Sequence, residues 1–168
     1  SLEVSKFGTY RMILEEGGSM GDLYVTSRLR EDGNGFIYVD PDSNQLQTVE
    51  ELQKVGNANP DFNLGFRNSF SWKGVSLGFL ISARIGGEVM SATQAILDRF
   101  GVSEASAIAR DNGGVPVNFG KMDAQYFYEY IGNGDTGMLS NYVYSATNVR
   151  LQELTVGYNL PKKWFNEK

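Results

Sequence analysis

The 168-residue sequence contains no cysteine and no histidine. The first absence excludes a disulfide framework and a thiolate metal site. The second excludes Ser-His and Cys-His nucleophile pairs, an imidazole base and His-ligated metals. Proline is scarce at 4 residues while glycine reaches 20, a balance that suits turns and close strand packing. No stretch approaches 18 consecutive apolar residues, which excludes a transmembrane helix. It does not exclude a transmembrane barrel, whose strands are only half apolar. The net charge of -5 argues against nucleic acid as a partner, because phosphate binding wants a basic face. The chain opens at Ser1 with no initiator methionine and no signal-peptide pattern, so it reads as a processed product or an excised piece.

The clearest pattern present is FNLGFRNSFSWKGVSLGFLISARIG, residues 62–86. Phe62, Leu64, Phe66, Phe70 and Trp72 share one parity, and Val75, Leu77, Phe79, Ile81, Ala83 and Ile85 resume it after Lys73-Gly74. A two-residue turn there sets Trp72 opposite Val75, Phe70 opposite Leu77, Phe66 opposite Ile81 and Leu64 opposite Ala83. Arg67, Ser69, Ser71, Ser82 and Arg84 fall on the other face; Asn68 and Leu80 are out of place. Each arm runs to about eleven residues, longer than a usual soluble strand and the length a tilted strand needs to cross a bilayer. Alternation alone favours a soluble sandwich, since most alternating hairpins are soluble.

Elsewhere the signals are mixed. Residues 2–14 read as one strand, with Leu2, Val4, Tyr10, Met12 and Leu14 on one parity that Lys6 interrupts. Residues 23–40 read as two strands around an Asp32-Gly33-Asn34-Gly35 tip. Residues 48–55 fit a short helix with Thr48 as cap and Glu51 at its third position. Residues 89–100 read as a helix burying Met90, Ala95, Ile96, Leu97 and Phe100, stopped by Gly101. A second helical turn follows, capped by Ser103. Residues 111–122 read as loop, and 123–132 as helix or strand. Residues 142–161 read as a long strand of unclear parity: Val143, Val149 and Leu151 against Leu154, Val156, Tyr158 and Leu160. A bulge near Asn148 would reconcile the two sets.

The stretches NPDF-x-LGF-x-NSFS, GVS-L-x-FLI, GGEVMS and ATNVRLQEL-x-x-GY-x-LP resemble the C-terminal barrel region of SusC/RagA-like TonB-linked outer-membrane transporters (TonB-dependent receptors) of Bacteroidetes-type Gram-negative bacteria. The resemblance covers residues 56–165 well and the first 55 more loosely. It implies a mainly β fold: antiparallel strands forming part of a transmembrane β-barrel, with long, partly helical external loops. The alternative is a soluble all-β or α+β module built from the same hairpins. Transporters of this kind form a barrel of about 22 strands with an N-terminal plug and a TonB-contacting segment. Neither is found here, and the chain stops before the last strands. The resemblance therefore implies a truncated piece, residues 1–168 as one barrel segment.

Outer-membrane barrels have short periplasmic turns and long external loops. The short Lys73-Gly74 turn is then periplasmic. Strands lie at about 2–14, 62–72, 75–87 and 142–160, with external loops at about 15–61 and 88–140. Arg67, Ser69, Ser82 and Arg84 would face the lumen. Phe66, Phe70, Trp72, Leu77, Phe79 and Ile81 would face lipid or the interface, and Lys162-Lys163-Trp164 would anchor there. Implied partners are the rest of the barrel and plug, TonB through the missing N-terminal part, a SusD-like surface lipoprotein, and an oligosaccharide or peptide substrate. The implied location is the Gram-negative outer membrane, and the implied role is nutrient uptake, carbohydrate first.

No cofactor and no catalytic residue are expected. Glu15-Glu16, Glu50-Glu51 and Asp98 with Asp111 could supply a hydrolase's two carboxylates, but read as solvated charge. Asp40, Asp42, Asn44 and Glu51 occupy calcium-loop positions 1, 3, 5 and 12, yet Gln45 stands where that loop needs glycine; a polar turn fits better. GNGDTG and DGNG are turns, not phosphate loops. Tyr126, Tyr128 and Tyr130 offer flat apolar rings with polar tips, suited to sugars in an external loop; packing on a barrel rim is the plainer reading.

Overall fold

The structure is a computed structural model that describes residues 1–160; Lys162-Lys163-Trp164 lies outside the described residues. The architecture is mainly antiparallel β, with three short α-helices and no closed barrel among the described residues. The chain divides into two compact units.

The first unit comprises Ser1–Asn59 and Glu88–Ser145. Its main sheet takes the order β1-β2-β3-β6, from β1 (Leu2–Phe7), β2 (Tyr10–Leu14), β3 (Asp22–Leu29) and β6 (Thr48–Asn57). Residues 2–14 are thus a hairpin rather than one strand. Gly8 takes φ +53° at its turn, and the register slips between Glu3 and Ser5. A Cβ at Gly8 would lie 2.2 Å from the Gly134 carbonyl oxygen, so the turn needs glycine for both conformation and space. Next to it, the buried Thr9 hydroxyl donates to Gly137 O at 2.7 Å and ties the hairpin to the far end of the unit.

Residues 48–55 are strand, not helix. The cap-like Thr48 and Glu51 give way to a ladder in which β6 pairs with β3 from Asp22↔Asn57 to Leu29↔Thr48, an instance of tertiary pairing overriding local preference. The chain does turn back at the Asp32 tip, with an antiparallel Glu31↔Ile37 bridge and Tyr38 N–H donating to Arg30 O at 2.8 Å, but β3 itself pairs with β6 rather than with the segment after the tip. That segment forms instead β4 (Val39–Asp40), which pairs with β5 (Gln45–Leu46). Residues 111–122, expected as loop, contain a hairpin of β10 (Val115–Val117) and β11 (Gly120–Met122). Asn118 locks this hairpin to β4: its side chain accepts from Val39 N–H at 3.0 Å and donates to Val39 O at 3.1 Å.

The helices are α1 (Ala92–Arg99), α2 (Glu104–Asp111) and α3 (Ala124–Ile131). Ser91, Ser103 and Asp123 cap them, each side chain accepting the N–H three residues on, which satisfies an otherwise orphaned donor. β9 (Glu88–Met90) precedes α1 and pairs with β12 (Val143–Ser145). The expected buried stripe of α1 is corrected. Ala95 and Asp98 are buried, while Ile96, Leu97 and Phe100 are exposed. Residues 95 and 98, three apart, share the one buried face of this short helix. Leu29, Val39, Leu46, Ala95, Phe127, Ile131, Leu139 and Tyr142 form the core of this unit with their neighbours.

The second unit comprises Pro60–Gly87 and the chain from Ala146. It is a three-stranded antiparallel sheet ordered β13-β8-β7, from β7 (Phe62–Trp72), β8 (Val75–Ile85) and β13 (Asn148–Tyr158). Residues 142–160 thus divide into β12 and β13.

Candidate functional site

The β7–β8 register is the one the alternation dictates: Trp72 opposite Val75, Phe70 opposite Leu77, Phe66 opposite Ile81 and Leu64 opposite Ala83. Lys73 and Gly74 take φ +45° and +87°. Positive φ at both central residues matches the twist of the two strands. The Lys73 ammonium rests 4.8 Å from the Trp72 ring centre.

β13 extends both faces. Val149, Leu151, Leu154, Val156 and Tyr158 lie opposite Ala83, Ile81, Phe79, Leu77 and Val75. The parity change is absorbed by a register shift between Leu151 and Glu153, not near Asn148. Gln152 is the extra residue, so two residues of β13 span one step of β8. One sheet face is consequently apolar across all three strands. Most of it is open: Phe66 is 56% exposed, Trp72 72% and Val156 71%.

The two misfits also find a physical reason. Asn68 faces Phe79, whose ring sits between those of Phe66 and Phe70 at 6.0 and 6.3 Å. The small amide leaves room for that aromatic row. Leu80 lies between Arg67 and Glu153 across the sheet, and those two side chains form an ion pair that bridges over it. Arg67, Ser69, Ser82 and Arg84 share this polar face. Arg150 Nε donates to Ser82 Oγ there at 3.2 Å.

The tyrosines of α3 do not form one platform. Tyr126 and Tyr130, four residues apart, stack with ring centres at 6.4 Å. Tyr128 points elsewhere and meets Phe127 edge-on at 5.2 Å. Tyr126 lines a hollow beside Ser43 and Asn44, and Tyr130 one beside Thr48 and Thr136. Tyr128 lines a third, among the helices. Asp40, Asp42 and Asn44 make the β4–β5 turn, in which Asp40 accepts from Asp42 N–H and Ser43 Oγ, each at 3.0 Å. Glu51 lies in β6. Among the described residues no three acidic side chains gather as a metal site would need.

A further polar cluster escaped the sequence reading. Asp22 is buried at the start of β3, where its carboxylate meets Lys54 Nζ at 2.8 Å, Asn57 Nδ2 at 2.6 Å and Ser19 N–H at 3.1 Å. The hydrogen bond from Lys54, then that from Ser19, holds its carboxyl below the usual carboxylate range. No local spacing announces it, since its partners are brought together by the β3–β6 ladder.

The chain is similar to a TonB-dependent receptor. Over 153 residues it is 27% identical to TonB-dependent receptor P3 of Formosa agariphila. The match covers 90% of this chain and 14% of the receptor's length. No family model matches the chain. The receptor match spans both units, since it covers 90% of the chain.

Proposed function

We propose that the chain is a segment of a TonB-dependent outer-membrane nutrient importer of the SusC/RagA kind. Its β7–β8–β13 sheet contributes barrel wall, and its first unit forms external, ligand-facing loops. The observation that carries this is the continuous apolar face of three eleven-residue strands, open rather than packed. An apolar face of that extent is strongly disfavoured in water. Its opposite face is polar, as the lumen of a barrel requires. The similarity to a TonB-dependent receptor supports the same reading. The whole protein would take up glycans, or peptides as the alternative, with TonB as its energising partner and a SusD-like lipoprotein at its outer surface. The role of this segment is transport, with no catalytic step.

A second reading, a soluble extracellular or periplasmic carbohydrate-binding β module, draws on the separate core of the first unit. Light scattering and far-ultraviolet circular dichroism of the 168-residue chain, without and with detergent, separate the two. Association in buffer that detergent converts to a monodisperse β species is expected. A monodisperse β protein in plain buffer that ignores phosphatidylcholine vesicles would overturn the importer reading.

A further inference from the structure

The turn between β7 and β8 holds a lysine in a conformation that lysine does not favour. Lys73 takes φ +45° and Gly74 φ +87°. A two-residue turn of this shape is usually Asn-Gly or Asp-Gly, because those residues enter the left-handed region most easily. A lysine there carries backbone strain, and strain kept at an exposed position points to a task for the side chain. The end of β13 holds the conformation in place. Asn159 N–H donates to Gly74 O at 2.7 Å. A Cβ at Gly74 would lie 3.2 Å from Asn159 O and 3.5 Å from the Tyr158 ring, so turn and strand end pack closely.

The side chains at this end form one exposed edge. Trp72, Val75 and Tyr158 are cross-strand partners in a single row, and all three are exposed. The Lys73 ammonium rests on the π face of Trp72, which steadies the charge. Lys73 has no ion pair among the described residues, so its N–H donors are open to an acceptor from outside. The surroundings select a negative one. β7 and β8 contain no acidic residue. On β13 the last is Glu153, which pairs with Arg67. It stands five residues before Tyr158, about 17 Å along the strand, farther than the roughly 8 Å over which exposed charges act at physiological salt. In the sequence, residues 155–165 carry Lys162 and Lys163 and no acid, although the chain has a net charge of -5.

A lysine between an exposed tryptophan and an exposed tyrosine suits the boundary between acyl chains and headgroups, where rings sit at headgroup depth and a cation meets phosphate. In a zwitterionic headgroup the phosphate already has an ammonium partner. In an anionic one it does not, and each lysine near the surface is attracted. We propose that the turn end of the β7–β8–β13 sheet binds the phosphate of anionic phospholipid headgroups, with Lys73 as the charge and Trp72 and Tyr158 seated at the level of the glycerol backbone. This lipid preference rests on the importer reading, which sets the short turn at the inner lipid–water boundary.

Flotation of the 168-residue chain tests it, with vesicles of dimyristoylphosphatidylcholine and of its equal mixture with dimyristoylphosphatidylglycerol. The parent should partition more strongly into the mixture. The preference should fade at about 1 M salt, where charges act over only about 3 Å. Lys73→Asn supplies the residue this turn favours, so circular dichroism should show the strands intact. It should nonetheless cut partitioning into the mixture about fivefold, the effect of one lysine near an anionic surface, and leave partitioning into phosphatidylcholine unchanged. Lys73→Arg should keep the preference. The proposal is overturned if the parent shows no preference, if Lys73→Asn binds the mixture as tightly as the parent, or if it weakens binding to both vesicles alike. Equal binding of the parent to both vesicles would leave the importer reading standing, whereas a chain that ignores both would overturn the two together.

Discussion

Arginine placed at Phe66, Trp72 or Ser69, three positions on one strand, should carry three different costs in a bilayer. β7 has eleven residues. At about 3.4 Å per residue it is about 37 Å long, and at a tilt of about 45° it rises about 26 Å, close to the roughly 25 Å apolar band of an outer-membrane barrel. Phe66, paired with Ile81, lies near the middle of that rise, and Trp72 lies at its end beside the Lys73-Gly74 turn. Arginine on the lipid face costs about 2–4 kcal/mol at mid-depth and about 0–1 near the interface. Phe66→Arg should therefore lower vesicle partitioning by about thirtyfold to nearly a thousandfold, and Trp72→Arg by at most about fivefold. Ser69→Arg, on the polar face opposite Gly78, should change little. Flotation of the chain with dimyristoylphosphatidylcholine vesicles reads all three, with circular dichroism confirming the strands. Equal losses at Phe66 and Ser69 would refute the assignment of the two faces, and so would a greater loss at Trp72 than at Phe66.

Three further outcomes follow from the first unit. The Asp22 carboxyl has a folded pKa below its unfolded value of about 3.9, so its contribution to stability is full above that value and lost as pH falls through the folded pKa. Urea midpoints should drop on acidification below about pH 4 in the parent and less steeply in Asp22→Asn. Gly8→Ala should destabilise the unit by about 2 kcal/mol or more, because its Cβ would overlap the Gly134 carbonyl at a positive φ; thermal melts would show it. Tyr142→Phe removes a buried hydroxyl that lies beside the buried Asp98 carboxylate and hydrogen-bonds it, so it should lower stability by about 1 kcal/mol, read as a lower urea midpoint.

The β7–β8 pairing was legible because every term agreed: strict alternation, a Lys-Gly turn, and equal arms. The β13 shift was half legible. Parity requires a slip, and Leu151 and Leu154 bracket it, so Gln152 could have been preferred to Asn148. Residues 48–55 misled because a Thr-x-x-Glu spacing is local, whereas the β3 ladder that decides their conformation is not. The alternate tyrosines at 126, 128 and 130 would share a face of a strand. On a helix, two residues turn the chain about 200°, so only Tyr126 and Tyr130 meet. Asp98 stands out in the sequence only as one carboxylate beside Asp111 and reads as solvated charge; its burial arises from the packing of α1 against its neighbours.

The Gln152 bulge gives β13 an uncommon response to changes in length. In most strands the loss of one residue exchanges inside and outside for everything beyond it. β13 already contains one residue more than β8 can match. Deleting Gln152 would bring Glu153 next to Leu151 and leave apolar and polar positions alternating from Val149 to Tyr158. Deleting Thr155 would turn Val156 and Tyr158 to the wrong side. The strand thus has a spare letter at one known place, and a one-residue deletion there should do less harm to the sorting of its faces than at any neighbouring position.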